Sequence, residues 1–390
     1  MMDSLKKNQN QIFQNNLLSE NINEIQVNNS LINYRLKENA HSRTLATIPD
    51  ENQNSFLVGL TQKGNNSELV KVIYDELNKK ITHQTILDFN TVKEKEGQEI
   101  PQINEINKIY PRNATDFLLN VFNSTSNQYE LKFFKESSPG LYESISCLNS
   151  NEIFDINFGA KSKNINYINK QGVKFVDLNK NSIIEEIKFS EEEQTLYPPM
   201  KISTDIFVLD ENVLGCGLGQ NIYTIDLREK KLTHKITNTQ EGSILSFQFD
   251  PISPFGFCTS GTDFSIKFCD IRKPEKEIGG IYNNSHWIWE LKYNKSYSNV
   301  MVTASSSSLV RGIIFDKAEG GDDKNRIGFD KFQGDKNLKK YSYIDYCEFE
   351  DSVYSLDWMK NDTWSFVATS FNAFFHVNTI PEEVKNRIKF

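Results

Sequence analysis

Residues 284–316 read NSHWIWELKYNKSYSNVMVTASSSSLVRGIIFD. After Ile288, the bulky Trp289, Leu291 and Tyr293 alternate with the polar Glu290 and Lys292. That period of two marks a strand with one buried face. A turn follows, then a run of small apolar residues, Val300 to Ala304, and a third run, Gly312 to Asp316. Near-copies flank the stretch at 242–271 and 351–381. They open at Ile244 and Val353 and alternate Leu245/Phe247/Phe249 and Tyr354/Leu356/Trp358. Strand, turn, strand, turn, strand at a fixed period predicts a radial β-propeller.

The third runs give a ruler. They close near Phe134, Asp177, Asp226, Asp270 and Asp316, at spacings between 43 and 49 residues. A period of ~40–45 residues is that of a four-stranded WD-type blade. With an earlier blade closing near Tyr74 and a last one running through Asn378, the expectation is an all-β, single seven-bladed WD-repeat-type propeller. Six blades with an irregular start is the alternative. Residues 31–37 (LINYRLK) form the candidate strand that completes the last blade and removes an open sheet edge. The expected organisation is a flexible Asn/Gln/Lys-rich tail at 1–30, a propeller at 31–381 with a solvated loop inserted at 318–340, and a tail at 382–390.

Net charge is −8 over 390 residues, with both signs interspersed, which argues against a broad phosphate-binding face; no nucleic acid is expected as a partner. Five widely spaced cysteines without a CxxC pair suit buried free thiols in a reducing compartment. Residues 1–20 have no apolar stretch of the secretory type, and no apolar run approaches membrane-spanning length. A cytoplasmic protein without direct membrane insertion is expected.

Catalysis is not expected. The five histidines are scattered, and neither HExxH nor a nucleophile elbow occurs. The alternate glycines of Gly215 to Gly219 lead into a strand pattern rather than the helix a phosphate loop must open. The acidic run Ser190 to Gln194 reads as a solvated loop. No catalytic, cofactor-binding or metal-binding residue is assigned, and no cofactor is expected. Asp263 sits where WD repeats place a turn aspartate that caps backbone amides.

What remains is surface. The loops leading into the three quoted strands lie on one face and supply candidate partner contacts: Gln240, Glu241, Asn284, Ser285, His286, Trp287, Glu350 and Asp351. Trp287, at the entrance of its strand, either packs over the neighbouring blade, the commoner fate of a Trp, or anchors a partner.

His286-Trp287-Ile288-Trp289 with Tyr293-Asn294, and Glu350-Asp351-Ser352-Val353-Tyr354 with Asp357-Trp358 and Trp364, resemble the closing blades of the EARP- and GARP-complex-interacting WD-repeat protein family. Asp263 through Ile266-Lys267-Phe268, with Asp270 and Arg272, fits the blade before them. There are departures. The usual repeat Trp is Cys269 or Phe315, and the loop histidine is replaced by Gln240, Asn284 and Phe349. The strict WD hydrogen-bond tetrad therefore cannot form, and other contacts must hold these blades. The resemblance implies a non-catalytic scaffold that helps recruit EARP/GARP vesicle-tethering complexes, in endosomal recycling, endosome-to-Golgi transport and dense-core vesicle cargo sorting. It implies tethering-complex subunits as partners, at the periphery of endosomes and the trans-Golgi network. A WD-repeat structural subunit of another large assembly, cytoskeletal or ciliary, is the alternative.

Overall fold

The computed structural model describes residues 22–24 and most of 32–389. The stretches 1–21, 25–31, 90–102, 190–202 and 316–340, with shorter gaps, lie outside the described residues. The inserted loop at 318–340, the acidic run at 190–194 and the expected tail other than 22–24 therefore fall outside them.

The architecture is a seven-bladed propeller. Seven antiparallel units of four strands each cover 40–88, 103–150, 155–188, 203–236, 244–281, 288–346, and 353–379 with 32–35. They are called blades 1 to 7 below. The expected closing strand is present. Ile32–Arg35 pairs antiparallel with Phe374–Thr379, with Ile32 opposite Val377 and Arg35 opposite Phe374. Ile22–Glu24 adds a parallel fifth strand to blade 6, beside Tyr341–Tyr346. A C-terminal helix, Glu382–Lys389, lies within the stretch expected as a tail. It buries Val384 and Ile388 against the cluster shared by blades 6 and 7.

The core lies between blades. Val300, Val302 and Ala304 from the middle strand of blade 6 pack with Leu356, Trp358 and Phe366 of blade 7. Middle strands carry small residues because both of their faces are covered. Gly215 shows how tight the fit is, since a Cβ there would lie 2.3 Å from Phe247 Cε1 of the next blade. Gly215 and Gly217 thus belong to a strand, Val213–Leu218, on which an aromatic ring rests, and Gly219 begins the turn after it.

Inner strands line a central channel, and their channel-side edges have no strand to pair with. Buried backbone groups still need partners. Polar side chains of the preceding blade supply them. Ser203 Oγ accepts a hydrogen bond from Phe247 N (3.1 Å) and donates to Phe247 O (3.4 Å). Ser246 repeats the arrangement one blade on with Leu291, at 3.2 and 3.5 Å. Two residues further along, Asp205 accepts from Phe249 N (2.8 Å) and Gln248 from Tyr293 N (2.6 Å). This ring of side-chain-to-backbone bonds joins blades that lack the WD tetrad.

One expectation changes. The alternation in the inner strands does not run unbroken, because a β-bulge interrupts it at the same place in blades 1, 5, 6 and 7, while blade 2 carries two irregularities of its own. The extra residue is Arg43, Leu245, Trp289 or Tyr354, flanked by Ser42/Thr44, Ile244/Ser246, Ile288/Glu290 and Val353/Ser355. A bulge leaves its extra residue out of the ladder and re-aims its side chain. Leu245 stays buried, but Trp289 and Tyr354 are only half-buried and Arg43 is exposed.

Candidate interaction surface

The three bulged residues Arg43, Trp289 and Tyr354 stand at one end of the channel. The loops that enter the inner strands and the turns between middle and third strands gather at the same end. There the rings form a continuous contact chain across blades 5, 6, 7 and 1. Phe264 meets His286 (centroids 5.9 Å), His286 meets Trp287 (5.8 Å) and Trp287 meets Trp289 edge-on (5.8 Å). Trp289 then meets Tyr354 (4.8 Å), Tyr354 meets Phe371 (5.8 Å), and Phe371 stacks on His41 (4.3 Å). Arg43 lies over both Tyr354 and Phe371, its guanidinium 5.5 and 5.4 Å from the ring centres. Such geometry is attractive through the ring quadrupole. Arg43 also pairs with Glu105 at 3.0 Å.

The sequence-derived candidates separate into two groups. Glu241, Ser285, His286 and Glu350 are exposed, and Asn284, Trp287 and Asp351 are half-buried. Gln240 is not part of this surface. It is 1% exposed, its Oε1 accepts from Ser265 Oγ (3.0 Å), and its amide donates to Ser265 O (3.4 Å). It fills the place of the missing WD histidine with a two-point contact inside blade 5. Asn284 takes the same place in blade 6, donating to Phe264 O at 2.9 Å. Phe349 does so in blade 7 by packing on His376, with centroids 4.0 Å apart. Asp263 accepts the amides of Glu241 (3.0 Å) and Ser265 (3.2 Å), tying the entering loop to the turn.

Phe264 stands out within that turn. Its φ is +65°, and the corresponding turns of blades 2, 4, 6 and 7 hold Asn127, Gly219, Ser308 and Ala373 in the same left-handed region. A bulky residue is uncommon there, and such outliers concentrate at functional sites. His41, Arg43, Phe264, Trp289, Tyr354 and Phe371 were missed from sequence. Their clustering depends on bulges and on ring closure, neither of which a repeat pattern displays.

Below the arc, the channel encloses a cavity of about 340 Å³ lined by the inner strands of most blades. Most of its charges are paired. Asp155 accepts from Lys108 Nζ (2.5 Å), Tyr110 Oη (2.8 Å) and Thr204 (2.8 Å from both N and Oγ1). Burial pushes the Asp155 carboxyl up, but the Lys108 ammonium and these hydrogen bonds outweigh it and hold the group below its ordinary value. Burial opposes the charge on Lys292. Glu290 foremost, then Asp357, Asp205 and Asp155, more than compensate and hold its ammonium above the ordinary range. Cys216, Cys258 and Cys269 are free and buried, away from the channel mouth; burial pushes the Cys269 thiol up to about 12. Among the described residues, no group of three or more His, Cys, Asp or Glu could hold a metal ion. Among them, too, no helix is long and apolar enough to cross a membrane.

No family model matches the chain. Curated proteins do. A Gekko japonicus protein named EARP-interacting protein homolog is 27% identical over 175 residues, which is 42% of this chain and 45% of the relative. The Homo sapiens EARP and GARP complex-interacting protein 1 is 26% identical over 175 residues, with the same coverage. EARP-interacting protein 1 of Caenorhabditis elegans is 24% identical over 189 residues, 45% of this chain and 50% of the relative. The chain thus spans about half the length of the curated relatives it matches. By sequence the chain is similar, over less than half its length, to proteins named for interacting with the EARP and GARP complexes.

Proposed function

We propose that the protein is a non-catalytic adaptor that binds subunits of EARP/GARP-type vesicle-tethering complexes. The observation that carries this reading is the similarity to proteins named for interacting with those complexes. The molecule adds a rigid ring presenting an uninterrupted aromatic surface across four blades, an arrangement suited to holding protein partners. In this reading the protein acts in the cytoplasm at the periphery of endosomes and the trans-Golgi network. It supports endosomal recycling, endosome-to-Golgi transport and the sorting of dense-core vesicle cargo. In this reading residues 31–381 form a single propeller domain flanked by 1–30 and 382–390.

The test is purification of the tagged protein from its own cells under gentle lysis, with the co-purifying proteins identified by mass spectrometry. Tethering-complex subunits in near-stoichiometric yield are the expected result. A preparation that instead brings down a salt-resistant cytoskeletal or ciliary assembly, and no tethering subunit, would overturn the reading.

A further inference from the structure

The aromatic arc carries information about the chemistry of the partner. We infer that it docks an extended protein segment in which arginine or lysine alternates with apolar side chains. The inference rests on the adaptor reading and describes the partner that reading leaves chemically blank.

Three observations lead there. First, the protein already places a cation on this surface, the Arg43 guanidinium over Tyr354 and Phe371. Among the described residues no cation lies over the Trp287 ring, and indole is the ring that attracts cations best. Trp289 Nε1 is engaged by Ser306 Oγ (2.6 Å), whereas no described group accepts the Trp287 indole N–H. Trp287 therefore offers a ring with no described cation over it and an indole donor suited to a main-chain carbonyl.

Second, the loops on either side of Trp287 are acidic. Glu241 enters blade 5, and Glu350 and Asp351 enter blade 7; Glu241 and Glu350 are exposed. These carboxylates favour a basic segment at this end and oppose both an acidic peptide and an anionic membrane. Third, Phe264 holds its ring against His286 from a backbone conformation that the corresponding turns fill with Asn, Gly, Ser or Ala. The ring extends the apolar track at the cost of local strain.

The experiment uses the full chain and two fluorescein-labelled dodecapeptides, one of alternating Leu and Arg and one of alternating Leu and Glu, titrated by fluorescence anisotropy. The Arg peptide is expected to bind at least ~10-fold more tightly than the Glu peptide, with an affinity that falls as salt rises. Trp287→Ala is expected to weaken it ~10-fold or more. The double change Glu350→Gln and Asp351→Asn should weaken it and flatten the salt dependence. Melting curves confirm that each variant is folded. Phe264→Gly gives a second reading at a position where glycine is easily accommodated. Equal affinity for the two peptides, or binding indifferent to Trp287→Ala and Phe264→Gly, would overturn the inference. So would Trp287-dependent sedimentation with phosphatidylserine vesicles in the absence of Arg-peptide binding.

Co-purification separates this inference from the adaptor reading. If Trp287→Ala recovers tethering subunits as well as the wild type, the arc is refuted and the adaptor role stands. If the wild type recovers none while the peptide preference holds, the adaptor role fails and the arc stands.

Discussion

Asp357, on the inner strand of blade 7, accepts a hydrogen bond through Oδ2 from the amide of Thr47 in blade 1, at 3.1 Å. The two residues are 310 positions apart. Thr47 Oγ1 adds a bond to the Trp358 carbonyl at 3.1 Å. The seam between the last and first blades is thus made by the same device that joins Asp205 to Phe249 and Gln248 to Tyr293. Asp357→Ala should destabilise the protein by ~1–3 kcal/mol, because an edge amide loses its partner. Asp357→Asn keeps an accepting oxygen and should cost less. Denaturant midpoints at unchanged m-value measure both. Equal losses for the two variants would show that the carboxylate charge, not the Thr47 bond, matters at the seam.

Trp358 is 3% exposed, packs on Phe366 (centroids 5.5 Å) and donates from Nε1 to Lys292 O of blade 6 (3.2 Å). Trp358→Ala should cost ~3–5 kcal/mol. A loss below ~1 kcal/mol would place this strand one residue out of register, since a single slip exchanges its faces.

His376 lies beneath the strand that closes the ring. Asn33 Oδ1 contacts its Nδ1 (2.5 Å), while Nε2 is buried without a partner. Burial lowers its pKa to about 3, so the folded ring stays neutral where a free histidine is charged. Between the ordinary pKa of ~6.5 and about 3, the unfolded chain binds a proton that the folded chain does not. Stability should therefore decline as pH falls through that window, by up to ~1.4 kcal/mol per pH unit from this group. His376→Gln should flatten the profile between pH 6.5 and 5. An unchanged slope would mean that other groups set the acid sensitivity.

Phe264→Gly should leave the stability within ~1 kcal/mol of wild type. The change relieves a left-handed backbone position but removes a half-buried ring. Thermal denaturation followed by circular dichroism measures it. A loss above ~2 kcal/mol would make the ring a pillar of blade 5 rather than a surface feature.

Local pattern carried the fold a long way. The alternation around Ile244, Ile288 and Val353, the blade period and the closing strand at 31–37 could all be read, because each is a matter of spacing along the chain. What escaped reading depends on spacing across it. The bulges that turn Trp289 and Tyr354 out of the core change the ladder by one residue while leaving the apolar pattern nearly intact. The arc joins His41 and Arg43 to Phe371, which meet only after the ring closes. Gln240 looked like a surface residue because its loop is polar, yet it is the residue that fills a buried niche against Ser265.

The closing strand has a consequence for the order of assembly. Ile32 must wait for Val377 before its hydrogen bonds can form. At a synthesis rate of ~5–20 residues per second, that delay is roughly 20–70 s. For that interval the nascent ring is an open arc with unpaired edges at both ends. A strand made before the first blade is the last to find a place, and the emerging chain needs shielding from other strand edges until the circle shuts.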